Sequence, residues 1–183
     1  MTGDGEYAWL PDSKNVAQTN LARFIRALGV SDYEELLRRA DAEPAWFYDG
    51  LLKHLDYRFY KPYERVLDES KGAPWTRWCS GGTTNVVLNA VDRWRGTPIY
   101  DKQALAWEGE DGAQASYSYR QMDREVCRCA GALRSLGLGR GDVIALYLPN
   151  VPEAMFAMLA AAKIGAIVMP RSEERRVGKE CRL

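Results

Sequence analysis

Gly137-Leu138-Gly139-Arg140-Gly141-Asp142-Val143-Ile144-Ala145-Leu146-Tyr147-Leu148-Pro149-Asn150-Val151-Pro152-Glu153, with the run from there to Met169, decides how this chain folds. Gly137, Gly139 and Gly141 mark a turn, and Val143 to Leu148 is a short apolar run bounded by turn residues, the pattern of a buried strand. Pro152 suits the first turn of a helix, where its missing N–H has no intrahelical partner, so Glu153 to Ile164 reads as helical. Gly165 then hands over to a second strand, Ala166 to Met169. Strand, helix and strand joined by short loops form a βαβ unit with parallel strands and a right-handed crossover. The fold class is therefore α/β. A parallel sheet is covered on both faces, which two strands and one crossover helix cannot achieve. The expectation is an α/β sheet that has been started and is incomplete at Pro170.

Ahead of this unit, Gln103–Trp107 and Ala115–Tyr119 read as two strands around the turn Glu110-Asp111-Gly112. Ser118 with Gln121 is a capping box that opens a long helix to Leu136. Further back the pattern is mostly helical. Asn15–Leu28 carries Val16, Leu21, Phe24, Ile25 and Leu28 at helical spacing and stops at Gly29. Ser31 with Glu34 predicts a capping box for the next helix, and Pro44 opens a third with the apolar stripe Trp46, Phe47, Leu51, Leu52 and Leu55. Tyr57 to Trp78 loses all periodicity while concentrating aromatic residues, which predicts an irregular segment packed across a larger body. Thr83 and Thr84 are expected to cap a helix from Asn85 to Trp94, ended by Gly96 and Pro98.

The chain has 183 residues, with 25 Lys and Arg against 25 Asp and Glu, so its formal charge is zero. No basic excess exists to serve as a nucleic-acid footprint. The longest apolar stretch, Ala154 to Met169, is broken by Lys163 and is too short for a membrane span. Met1 to Glu6 is polar and carries no apolar leader, and four scattered cysteines read as reduced thiols, so the expected place is cytoplasmic.

Several stretches then appear in a telling order: Trp107-Glu108-Gly109-Glu110-Asp111, Tyr117-Ser118-Tyr119-Arg120-Gln121-Met122, Gly137 to Asn150, Pro152-Glu153, and Ala161-Ala162-Lys163-Ile164-Gly165-Ala166. Together they resemble the opening of the AMP-forming acyl-CoA synthetases, adenylate-forming enzymes, on their acetyl-CoA synthetase-like branch. Phe59-Tyr60-Lys61-Pro62-Tyr63-Glu64 and the segment Thr84–Trp94 are similar to the N-terminal extension of that branch. The resemblance implies residues 1–98 as a mostly helical extension and 99–170 as the truncated start of an AMP-binding adenylation domain. It also implies an acid-thiol ligase that uses ATP, Mg²⁺ and CoA on a small carboxylic acid. The family's phosphate loop and catalytic Lys would fall beyond Pro170, so no catalytic, cofactor-binding or metal-binding residue carries over, and residues 1–183 alone are expected to be inactive.

From Arg171 to Leu183 the family pattern breaks, with eight charges in thirteen residues. Arg171-Ser172-Glu173-Glu174-Arg175-Arg176-Val177-Gly178-Lys179-Glu180-Cys181-Arg182 resembles the translation of a short-read sequencing adapter, so residues 171–183 are expected to be non-native. Without them the chain has 20 basic and 22 acidic residues.

The remaining chemistry-bearing features have bland readings. Ser80-Gly81-Gly82-Thr83-Thr84-Asn85 superficially suits a phosphate at a helix start, but no Lys follows and helix capping explains it better. Gly137–Gly141 enters a strand from a helix, the reverse of the dinucleotide fingerprint. Cys127 and Cys129 sit on different faces of one helix with no second ligand pair. His54, the single histidine, stands at a helix end, and Arg93, Trp94 and Arg95 read as another. Two rival readings are a Rossmann-like nucleotide-binding oxidoreductase piece, which lacks the glycine fingerprint, and a non-catalytic helical interaction module built from residues 1 to 98.

Overall fold

The computed structural model describes residues 11–171, which divide into two compact units at Thr83/Thr84. In the first, the expected helix Asn15–Leu28 is two helices, α1 (Ser13–Gln18) and α2 (Asn20–Leu28). Thr19 between them is extended, and its hydroxyl accepts from the Ala22 N–H at 3.1 Å, a local bond that competes with helix continuation. Gly29 at φ 68° closes α2 in the left-handed conformation that a side chain would strain. α3 (Tyr33–Ala42) is capped by Asp32 rather than Ser31: the Asp32 carboxylate accepts from the Glu35 N–H, and Glu35 reaches back to the Ser31 N–H. α4 (Pro44–His54) begins at its proline as expected. Phe24, Val30 and Leu36 form the buried centre of this unit, flanked by Ile25, Leu28, Trp46, Phe47 and Leu51. The Phe24 and Phe47 rings meet edge-on, with centroids 5.7 Å apart.

The stretch expected to be irregular contains an antiparallel pair, β1 (Arg65–Asp68) and β2 (Arg77–Ser80), in the register Leu67 opposite Trp78. Each strand has only four residues, and the connection between them is a long one holding a single 3₁₀ turn, Ala73–Trp75. No two-residue hairpin turn announces the pair.

In the second unit the expected helix Asn85–Trp94 is shorter. Asn85 caps α5 (Val86–Ala90) through its own side chain, and 3₁₀ turns follow at Asp92–Trp94 and Pro98–Asp101. β3 (Gln103–Glu108) and β4 (Gln114–Ser118) form the expected hairpin. Ser118 and Gln121 make the full reciprocal capping box that opens α6 (Tyr119–Ser135). β5 (Val143–Tyr147), α7 (Pro152–Lys163) and β6 (Ile167–Arg171) then build the βαβ unit, with Val143, Ala145 and Tyr147 beside Ile167, Met169 and Arg171 in a parallel register. Val87, Val91, Met122, Val126, Phe156, Leu159 and Ile164 lie in the core of this unit, with Ile144 packed against it. Val87 and Val91 therefore belong with the second unit. They are completely buried there, which ties this segment to α6 and α7.

Candidate functional site

Asp123 is the one buried charged side chain among the described residues. It sits one turn into α6, and its carboxylate accepts from Arg95 Nε at 2.7 Å and Nη2 at 2.5 Å, from the Tyr100 hydroxyl at 2.5 Å, and from the Cys127 thiol at 3.3 Å. Arg95 Nη2 also lies 3.1 Å from Asp92, which accepts two hydrogen bonds from Lys163 Nζ at 2.6 and 2.8 Å. The result is a continuous ionic chain, Lys163–Asp92–Arg95–Asp123, running from α7 through the 3₁₀ turns to α6. Burial alone would raise the Asp123 pKa, but the bonds from Arg95, Tyr100 and Cys127 together outweigh it and hold the carboxyl down at about 2. The same carboxylate raises the Arg95 and Tyr100 pKa values. The Cys127 and Cys129 thiols are pushed up, mainly by burial, so neither is an activated nucleophile. Arg95 is thus more than the helix end that the sequence suggests.

A groove of about 340 Å³ opens at the C-terminal ends of β5 and β6, between β3 and α7; Leu105, Trp107, Leu146, Leu148, Met155 and Met158 are among its walls. Trp107 Nε1 donates to the Asn150 carbonyl at 2.6 Å and ties the hairpin to the loop that leads into α7. Ligands of open α/β sheets gather at this edge. The lining is mostly apolar and offers no nucleophile–base pair. Among the described residues no three side chains of the metal-ligating types come together.

The other candidates take structural places. The loop 80–85 is closed by packing: a Cβ on Gly82 would stand 3.0 Å from the Tyr63 Cβ and 3.2 Å from the Phe59 ring, and Thr83 forms a β-bridge with Lys61. Tyr63 donates to Asp49 at 2.6 Å, and burial, then Asp49, pushes its phenol up to about 12. His54 ends α4 with its ring 5.1 Å from that of Phe24. Gly137 to Gly141 connect α6 to β5 as a turn. Residues 172–183, most of the stretch read as non-native, lie outside the described residues.

With this geometry in place, comparison with known proteins assigns the chain. The model of the acetyl-coenzyme A synthetase N-terminus matches residues 33–90, and the AMP-binding enzyme model matches residues 91–176. The acetyl-coenzyme A synthetase of Deinococcus radiodurans is 42% identical over 137 residues, 75% of this chain and 20% of the relative. The 3-hydroxypropionyl-coenzyme A synthetase of Metallosphaera sedula is 42% identical over 135 residues, 74% of this chain and 20% of that protein. The solved acetoacetyl-CoA synthetase from Streptomyces lividans superposes with a TM-score of 0.80 at 31% identity, covering 90% of this chain and 26% of its own. This chain thus spans about a fifth to a quarter of the length of these relatives. Two family matches placed end to end in this order, and a fold shared at that level, leave one assignment: the chain belongs to the AMP-forming acyl-CoA synthetases, on the acetyl-CoA synthetase-like branch, and corresponds to the N-terminal part of that family.

Proposed function

We propose that this chain is the N-terminal part of a cytoplasmic enzyme that joins a small carboxylic acid to CoA. The acid and MgATP give an acyl-adenylate and pyrophosphate, after which the CoA thiolate attacks the acyl carbon and AMP leaves. The observation that carries this reading is the succession of the extension match and the AMP-binding match along one chain. Within it, residues 1–98 form the extension, 99–170 start the adenylation domain, and 171–183 derive from a sequencing adapter. Arg171 still extends β6 beside Tyr147, since strand pairing is made by the backbone whatever the side chain.

No residue for holding MgATP or CoA is proposed among residues 11–171. In the loop with phosphate-like composition Tyr63 and Phe59 pack against Gly82, and the glycine turn leads from a helix into a strand rather than from a strand into a helix. The contribution of this part is therefore structural: it carries the βαβ unit on which the remaining sheet is laid, and the ionic chain that holds residues 92–100 against α6 and α7. The relatives named for acetyl, 3-hydroxypropionyl and acetoacetyl groups support a short acid as substrate. A chimera tests the assignment. Residues 11–170 replace the matching segment of the Deinococcus acetyl-CoA synthetase, and acyl-CoA formation is measured on acetate, propionate and acetoacetate. The expected chimera is active and keeps its host's order of preference, because the acyl pocket lies outside this segment. A folded but inactive chimera contradicts the assignment.

A further inference from the structure

We infer that Trp75, Trp78 and Tyr48 form a docking surface within the first unit, and that its occupant is the part of the full-length enzyme that follows residues 11–171; this rests on the family assignment. The three residues lie in the stretch matched by the acetyl-coenzyme A synthetase N-terminus, outside the unit that holds the unfinished sheet. Trp75 ends the 3₁₀ turn Ala73–Trp75 and is 70% exposed. Trp78, opposite Leu67 on the β1–β2 pair, is 50% exposed, and Tyr48 of α4 is 40% exposed. Tryptophan is highly buried on average, so two this open and this close in sequence mark a surface made to be covered. The surface is also preformed. The Tyr48 and Trp78 rings meet edge-on with centroids 4.6 Å apart, and Tyr48 leans in turn on Phe47, which packs at the buried centre of this unit. Aromatic anchors already held by regular elements lose little freedom when a partner covers them.

Size and charge select the occupant. The exposed surface of the three rings is on the order of 300 Å². A separate protein, a second copy included, needs roughly 600 Å² or more on each side to stay bound. A segment of the same chain needs less, because covalent linkage holds it at an effective concentration in the millimolar range. The relatives supply such a segment, since this chain covers only 20 to 26% of their length. Arg77 stands opposite Asp68 in the strand pair, and Arg77 and Arg65 both hold the Asp68 carboxyl below its ordinary range. Charges balanced in this way suit a neutral protein surface better than the backbone of a nucleic acid.

Hydroxyl-radical footprinting with residue-resolved mass spectrometry tests this on the full 183-residue chain and on the chimera that carries residues 11–170 in the Deinococcus enzyme. Trp75 and Trp78 are expected to oxidise readily in the chain and about tenfold more slowly in the chimera, as rings moved from solvent into a packed interface do. Trp75→Ser, at the most exposed of the three positions, is expected to leave the urea midpoint of the chain unchanged and to lower that of the chimera. Equal oxidation in the chain and in an active chimera overturns the inference and leaves the family assignment standing. A folded but inactive chimera contradicts the assignment, and the inference falls with it. Rings already protected in the 183-residue chain, whether by residues 1–10 or by a second copy, overturn it as well.

Discussion

Replacing Asp123 by alanine is expected to destabilise the second unit by about 3 kcal/mol, read as a lower urea midpoint at unchanged slope. The substitution removes the acceptor of four hydrogen bonds and strips Arg95 and Tyr100 of their shared partner. Breaking a buried pair costs about 3–5 kcal/mol, and the lower end applies here. Arg95 is 47% exposed and keeps Asp92 at 3.1 Å, so water and a second carboxylate recover part of the loss. Arg95→Ala should also be costly, and the double variant should cost less than the two singles combined, because both remove the same pair. Asp123→Asn gives the pH signature. With the carboxyl held at about 2 when folded and near its ordinary 3.8 when unfolded, the unfolded chain binds the extra proton between those values. The stabilisation is complete above about pH 5 and is lost as pH falls through about 2; the asparagine variant lacks that slope. Equal midpoints for the wild-type chain and Asp123→Ala would remove the ionic chain from the account of this fold.

Phe156→Ala is expected to cost about 3–4 kcal/mol, the usual range for emptying a buried aromatic site. Phe156 is 6% exposed, and its ring meets Tyr117 of β4 at 5.1 Å between centroids and 80° between planes. It therefore joins α7 to the hairpin, within a core cluster that also holds Met122 and Val126 of α6 and Leu159 of α7. Phe156→Leu keeps most of the volume and should cost about 1 kcal/mol. Chemical denaturation of both variants separates the two effects; a small change in the alanine variant would mean that the core is not assembled around this ring.

What could be read from the residues follows from how local each cause is. The Ser118–Gln121 capping box, Pro152 opening α7 and the hairpin turn at Gly112 act within a few residues, and each stands where the pattern puts it. The α3 cap was ambiguous because Ser31-Asp32-Tyr33-Glu34-Glu35 holds two overlapping capping boxes, and only the backbone geometry chooses Asp32. β1 and β2 escaped because four-residue strands with one buried side chain give no alternation to see. The ionic chain was beyond reach for a different reason. Arg95 and Asp123 are 28 positions apart, and Asp92 and Lys163 are 71 apart. No periodicity links such residues, and only the packing of α5, α6 and α7 brings them together. The family itself was legible because an ordered series of short stretches survives when each alone is weak.

Carboxylate-dependent exchange of labelled pyrophosphate into ATP is the measurement that bears most directly on the central claim. It reads the adenylation half-reaction alone, before CoA is needed, and so asks whether the chemistry resides in this part of the family. The account predicts no acid-dependent exchange for the 183-residue chain with acetate, propionate or acetoacetate, and acid-dependent exchange for the chimera that carries residues 11–170. Exchange by the chain alone, rising with the concentration of any of these acids, would contradict it and would place catalytic groups among residues assigned here to structure.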